Sequence, residues 1–243
     1  TSGEGLHRRG YRDLTMAAPL KETLAAGLLL LSRCKPDRPF LEPFCGSGTL
    51  LCEAYMAASH TPAGVLRTYF GFQNLPDYKA SLWQQEKREG LNQRIPTPPG
   101  LIAGSDISRE AVRAAATNAA AITRNHHIRI EQQDAFKIPA IEDSIIVCNP
   151  PYGIRIAQGE DLAGFYKQLG DFLKQRCRRS TAFIYFGERF FLTRGQGSPF
   201  LRWRRLDPFF DICYPLFRKH GDFPGNGPGL TRFRCRARAE KIS

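Results

Sequence analysis

The sequence predicts an α/β fold built on an open, Rossmann-like doubly wound sheet, and three observations carry that prediction. A short strand at Pro39-Phe40-Leu41 runs through Glu42-Pro43-Phe44 into the glycine turn Cys45-Gly46-Ser47-Gly48 and then into an apolar helix, Leu50 to Ala58. Two later strands lead to acids, Asp106 and Asp134, at what this topology makes one sheet edge. Finally, Ile145-Ile146-Val147-Cys148 is apolar and mostly β-branched, as a strand buried on both faces should be, and it empties into Asn149-Pro150-Pro151-Tyr152-Gly153. Ligands of open α/β sheets sit just beyond the carboxyl ends of the strands, where all three features fall.

The elements follow in order. Leu6-His7-Arg8-Arg9-Gly10-Tyr11-Arg12 is a basic leader with an aromatic among its charges. Ala17-Ala18-Pro19 is predicted to open a helix, proline in its first turn, with Leu20, Leu24, Leu28 and Leu31 as its stripe and Lys35-Pro36 as its stop. In the glycine turn, glycine lets backbone approach a ligand, and the following helix offers free N–H groups. It lacks the G-K-[ST] of a phosphate-gripping loop, and Leu51 takes the third glycine position of G-x-G-x-x-G, so taken alone it equally suits an ordinary strand-to-helix turn.

Residues 59–99 are expected to form an inserted segment with a short polar helix around Leu82 to Leu91 and aromatics (Tyr69, Phe70, Phe72, Tyr78, Trp83) used for packing. Leu101 to Asp106 is the second strand, Ser108 an N-cap, and Val112, Ala115, Ala119 and Ile122 a helical face. Ile128-Arg129-Ile130 is the third strand, leading to Gln133-Asp134-Ala135. Either acid alone could be a helix or turn cap, whereas a carboxylate at the second strand end is also where dinucleotide folds grip a ribose diol. Leu162, Phe165, Tyr166, Leu169, Phe172 and Leu173 mark a further helix, Thr181 to Phe186 a strand, and Phe209 to Phe217 a strand of a closing hairpin.

The residue before a proline is held extended, and consecutive prolines donate no N–H. The Asn149 side chain and the Pro150 carbonyl therefore become rigid acceptors, with the Tyr152 ring beside them. Two acceptors and a stacking face suit a planar ring that carries an amino group.

Composition narrows the class. The 243 residues, 42% hydrophobic, fit one domain, placed at 1–191, and a basic Gly/Pro/Arg-rich segment at 192–243 that is either last strands or disordered, or the product of a shifted reading frame. No apolar run reaches the length of a membrane span and no signal peptide opens the chain. Seven cysteines without a C-x-x-C pair predict reduced thiols and a cytoplasmic setting, and the five histidines form no metal motif. The net charge is +12, and residues 192–243 hold eleven Lys or Arg against four Asp or Glu. This balance points to a polyanionic partner, or to a solvated tail.

The stretches Glu42 to Thr49, Gly104-Ser105-Asp106 and Asn149 to Arg155, preceded by Leu6 to Arg12 and Ala18-Pro19-Leu20-Lys21-Glu22, together resemble the methyltransferase domain of the THUMP-containing RNA guanine-N2 methyltransferases. These are class I S-adenosylmethionine-dependent enzymes, often labelled adenine-specific DNA methylases. The resemblance spans residues 2–190, with Glu42-Pro43 where the family usually carries Asp-Pro. It implies S-adenosyl-L-methionine as cofactor, with Glu42 and the turn of Cys45, Gly46 and Gly48 under its methionyl part. Asp106, with Ile107 beside it, would accept the ribose hydroxyls, and Asp134 and Ala135 would line the adenine pocket. Asn149, also at the cofactor's edge, and Pro150 would hold the target amine while Tyr152 stacks on its ring. The implied substrate is a guanine of ribosomal RNA, and the implied partners are RNA and an upstream THUMP domain, an expectation that Thr1 in place of a starting methionine supports. The same loop serves an adenine N6 DNA methyltransferase or a glutamine side-chain methyltransferase, and an RNA-binding fragment without turnover is the non-enzymatic alternative.

Overall fold

The computed structural model describes residues 5–14, 19–32, 34, 37–123, 127–150, 162–185 and 212–213. Eight strands are described: β1 (Phe40–Glu42), β2 (Ile102–Asp106), β3 (Ile128–Gln132), β4 (Ile141–Glu142), β5 (Ile145–Cys148), β6 (Cys177–Arg178), β7 (Thr181–Ile184) and β8 (Ile212–Cys213). Six of them form one sheet in the order β3-β2-β1-β5-β7-β8, and every described pairing in it is parallel. The chain steps outward from β1 to β3 and then returns to lay β5 on the other side of β1, with Leu41 opposite Ile146. The order therefore reverses between β1 and β5, which is the switch point where such sheets open a crevice.

Alternation along the strands divides the core into two layers. Phe40, Ile102, Ile145, Val147 and Phe183 bury with helices α1 (Glu22–Leu31), α2 (Thr49–Ala58) and α4 (Arg109–Ala120). Their neighbours Leu41, Ala103, Ile146, Cys148, Ala182 and Ile184 bury with α5 (Leu162–Arg176), through Tyr166, Leu169, Phe172 and Leu173. Helices on both faces make the sheet doubly wound, and β5 is buried at all four positions. The predicted N-cap holds, since Ser108 Oγ accepts from the Ala111 N–H at 3.3 Å.

One expectation is corrected. α1 starts at Glu22, behind an extended Lys21 (φ −68°, ψ 138°), and not at Pro19. The Leu20 carbonyl is instead taken by Arg12 Nη2 at 2.7 Å, a tertiary contact that keeps this stretch out of the helix. The buried stripe shifts accordingly to Glu22, Ala25, Leu28 and Leu29, and Leu31 is exposed. Within the predicted Phe209–Phe217 strand, Ile212–Cys213 is a strand that pairs with β7 in parallel, and the second strand of the expected hairpin lies outside the described residues. The remainder of 192–243 lies outside the described residues.

Between α2 and β2 lie a 3-10 turn (Gly71–Asn74) and α3 (Ala80–Asn92), a helix with no buried residue. Phe70 stacks on Phe72 and Trp83 meets both rings edge-on, with centroids 4.9–5.4 Å apart, so these rings pack among themselves. Among the described residues no helix is long and apolar enough to cross a membrane.

Gly48 shows how close the layers come. Its φ is +78°, and a Cβ there would meet Ala115 Cβ at 2.9 Å and Ala115 Cα at 3.1 Å. Gly48→Ala should therefore destabilise the fold by about 1–3 kcal/mol, read as a lower urea midpoint with an unchanged slope.

Candidate active site

The strands deliver their last residues to one edge. The glycine turn there is held from outside itself: the Cys45 N–H donates to the Ser105 carbonyl at 2.8 Å and the Gly46 N–H to Asp106 Oδ2 at 2.9 Å. Within the turn, the Gly48 N–H donates to the Cys45 carbonyl at 2.7 Å. Asp106 Oδ1 accepts from the Ser108 N–H at 2.9 Å, so both carboxylate oxygens are fixed by backbone and each keeps capacity for a second donor. Gly46 has φ +51°, and a Cβ there would touch nothing within 4 Å, so the turn has an open side.

That side borders a cavity at the switch point, lined by Leu20, Glu42, Phe44, Gly46, Ser47 and Asn149 among others. Its polar lining is acceptor-rich, and among the described residues it includes no lysine or arginine. Two of its oxygens, Glu42 Oε2 and Asn149 Oδ1, are buried without a hydrogen-bond partner among the described residues. An orphaned buried acceptor is costly, and two of them flanking one crevice form a donor-seeking surface suited to an amine or a cation and poorly suited to a phosphate.

Burial pushes the Glu42 carboxyl well above its ordinary value of 4.5, the nearby Asp106 charge pushes it further, and the Leu51 backbone N–H opposes them. A carboxyl raised on folding contributes stability that is fully present below 4.5 and is lost as pH rises through the raised value. Glu42→Gln should therefore become more stable relative to the native chain as pH rises from 4.5 toward neutrality, measured as the difference in urea midpoints. Burial, with Glu42 and Asp106 adding to it, likewise raises the Cys45 thiol, which leaves it an inert wall group and not a nucleophile.

The structure brings the other predicted residues to this edge with differing exposure. Asp134 Oδ1 accepts from the Phe136 N–H at 2.9 Å and so caps the 3-10 turn Ala135–Lys137, while the Gln133 N–H donates to the Asp106 carbonyl at 3.0 Å. For both acids the cap is real, and it fixes the carboxylate at the strand end. Ala135 is buried, Ile107 is 71% exposed, and Pro150 is buried. Tyr152 lies outside the described residues.

Sequence reasoning missed Phe44 as a partner of the Phe136 and Phe165 rings, with centroids 5.6–6.2 Å apart beside the cavity. It also missed the leader. Tyr11 is buried and donates to Glu53 Oε1 at 3.1 Å, Arg9 pairs with the same carboxylate, and Arg12 reaches Thr49 Oγ1 at 3.0 Å and Glu22 at 3.4 Å. Charge and aromatic spacing marked this stretch in the sequence, but not that its charges are spent inward.

The family described as UPF0020, RMKL-like, methyltransferase domain, matches residues 9–205. The chain belongs to this family. Among its relatives is Synechocystis sp. slr0064, provisionally named an RNA methyltransferase, 40% identical over 193 residues that cover 78% of this chain and 50% of the relative. The ribosomal RNA large subunit methyltransferase K/L of Photobacterium profundum is 36% identical over 192 residues, 76% of this chain and 27% of its own. The chain thus spans half the length of the first relative and about a quarter of the second. The crystal structure of SMU.472 complexed with S-adenosylhomocysteine aligns with a TM-score of 0.65 and 29% identity, over 73% of this chain and 47% of that one. The fold of this UPF0020 member is the class I methyltransferase sheet that the sequence predicted.

Proposed function

We propose that this domain transfers a methyl group from S-adenosyl-L-methionine to the exocyclic 2-amino group of a guanine in ribosomal RNA. The observation that carries the reading is the buried, unpartnered carbonyl of Asn149 in a cavity it shares with Glu42 at the switch point of the sheet. The cavity fits the cofactor on its own chemistry: no basic residue in the lining among the described residues, an orphaned carboxyl oxygen, and a glycine turn open on one side. Glu42 and the turn of Cys45, Gly46 and Gly48 would hold the methionyl part, Asp106 beside Ile107 the ribose, and Asp134 and Ala135 the adenine. When bound, S-adenosylmethionine supplies an electrophilic methyl group.

The chain's own residues then act on the acceptor. A guanine amine is a poor nucleophile because its lone pair is delocalised into the ring. Asn149 Oδ1 and the Pro150 carbonyl, each accepting one amine N–H, would turn that lone pair out of the ring plane and aim it, while Tyr152 stacks on the base. Such positioning lowers the barrier through orientation and preorganised electrostatics. The target base must leave its stack to enter, so a flipped or single-stranded nucleotide is the form that binds.

The catalytic unit is residues 1–191 with 59–99 inserted, and RNA delivery falls to a THUMP domain of the full-length protein. The names of the relatives support RNA over DNA, and K/L supports the large ribosomal subunit. Labelled S-adenosylmethionine offered with undermodified ribosomal RNA, duplex DNA or protein extract tests this. Label recovered as N2-methylguanine is the expected result. Methyladenine in DNA or methylglutamine in protein would replace the substrate assignment, and bound cofactor with no label in any arm would leave a binding fragment.

A further inference from the structure

Asn118 belongs to none of the sequence motifs, yet it makes the most complete side-chain contact near the cavity. It lies in α4, 1% exposed. Its Oδ1 accepts from the backbone N–H groups of Asp13 at 2.9 Å and Leu14 at 3.2 Å. Its Nδ2 donates to the carbonyls of Leu14 and Ser47, both at 2.9 Å. Both lone pairs and both protons of the amide are used. One side of the contact is the leader and the other is the glycine turn.

Two neighbours extend the link. Ala115, three residues earlier on the same helical face, packs beneath Gly48. Arg12, just ahead of Asp13, donates to Thr49 Oγ1 at the start of α2 and to the carbonyl of Leu20, which lines the cavity. The leader is thereby tied to the turn through Asn118 and to the cavity wall through Arg12. With its carbonyl held by α4, Ser47 keeps a fixed peptide plane within a turn that is also fastened by Cys45 to Ser105, Gly46 to Asp106 and Gly48 to Cys45.

We propose that Asn118 is a positioning residue that couples the leader to the glycine turn, so that the cavity takes its binding shape only when the leader is seated. The proposal rests on the reading of that cavity as the S-adenosylmethionine site. Asn118→Asp keeps both acceptor contacts and loses both donor contacts, setting an oxygen against the Leu14 and Ser47 carbonyls, while Asn118→Ala removes all four. Leu169→Ala is the control: a fully buried α5 residue on the opposite face of the sheet, whose truncation costs stability without touching the turn.

The test is titration calorimetry with S-adenosylhomocysteine, well below every variant's thermal midpoint, together with hydrogen exchange of the ligand-free proteins. Both Asn118 variants are expected to bind about tenfold more weakly or worse, while Leu169→Ala keeps the native Kd at an equal or larger loss of midpoint. Exchange over residues 8–14 and 45–50 should accelerate together in the Asn118 variants alone. Native affinity in both Asn118 variants, or equal weakening in Leu169→Ala, overturns the proposal. Failure of the native chain to bind would overturn the cavity reading instead, and exchange then decides the coupling: joint acceleration upholds it and independent rates refute it.

Discussion

Replacing Asn149 with alanine should lower methyl transfer about 100- to 1000-fold, the scale on which a single preorganised polar group at a reacting centre acts. Fold stability should move the other way. A buried polar atom with a partner loses that bond when truncated, but Asn149 Oδ1 has none among the described residues, so its removal relieves an unmet desolvation cost. The thermal midpoint should be unchanged or raised, the pattern of a residue kept for function at some cost to the fold. Because Asn149 also lines the cavity, S-adenosylhomocysteine affinity should weaken by no more than about threefold, leaving the loss in kcat. Single-turnover rates, a binding titration and a melting curve on the same variant decide the matter. A lowered midpoint with a proportionate loss of affinity would make Asn149 a structural residue and remove the basis of the proposed chemistry.

What could be read from the chain, and what could not, divides by the range of the interaction. The Ile145–Cys148 run, the Ser108 cap and the glycine turn are specified by residues within a few positions of one another, and each stands where the sequence placed it. The start of α1 was misplaced because proline at a first turn is only a local signal, and the Leu20 carbonyl answers to Arg12. Asn118 carried no local signal, since its partners Asp13 and Ser47 lie 105 and 71 residues away. The two acids were legible as strand-end carboxylates and as caps, but not the bond that Asp106 accepts from the Gly46 N–H, 60 residues away, which makes Asp106 part of the turn itself.

Asp106 holds the glycine turn and is proposed to receive the ribose of the cofactor, and the two duties can be separated. Asp106→Ala should weaken S-adenosylhomocysteine binding roughly 100-fold or more. It removes an ionised acceptor from Gly46 and Ser108, and hydrogen bonds to charged groups contribute about 1.5–3 kcal/mol each, with 1.4 kcal/mol equivalent to a factor of ten. Asp106→Asn keeps the shape and one acceptor, but turns an amide N–H toward one of the two backbone donors, so it should fall between the native chain and the alanine variant. The discriminating ligand is 5′-methylthioadenosine, which retains the ribose diol and adenine but lacks the amino-acid end. If Asp106 grips the ribose, its affinity for Asp106→Ala falls by a factor close to that for S-adenosylhomocysteine. If Asp106 acts only by shaping the turn under the methionyl part, the shorter ligand binds native and variant alike while S-adenosylhomocysteine still suffers. The fixed carboxylate favours the first outcome. Both oxygens are already anchored on backbone donors, so a diol would meet acceptors whose orientation costs nothing further to set.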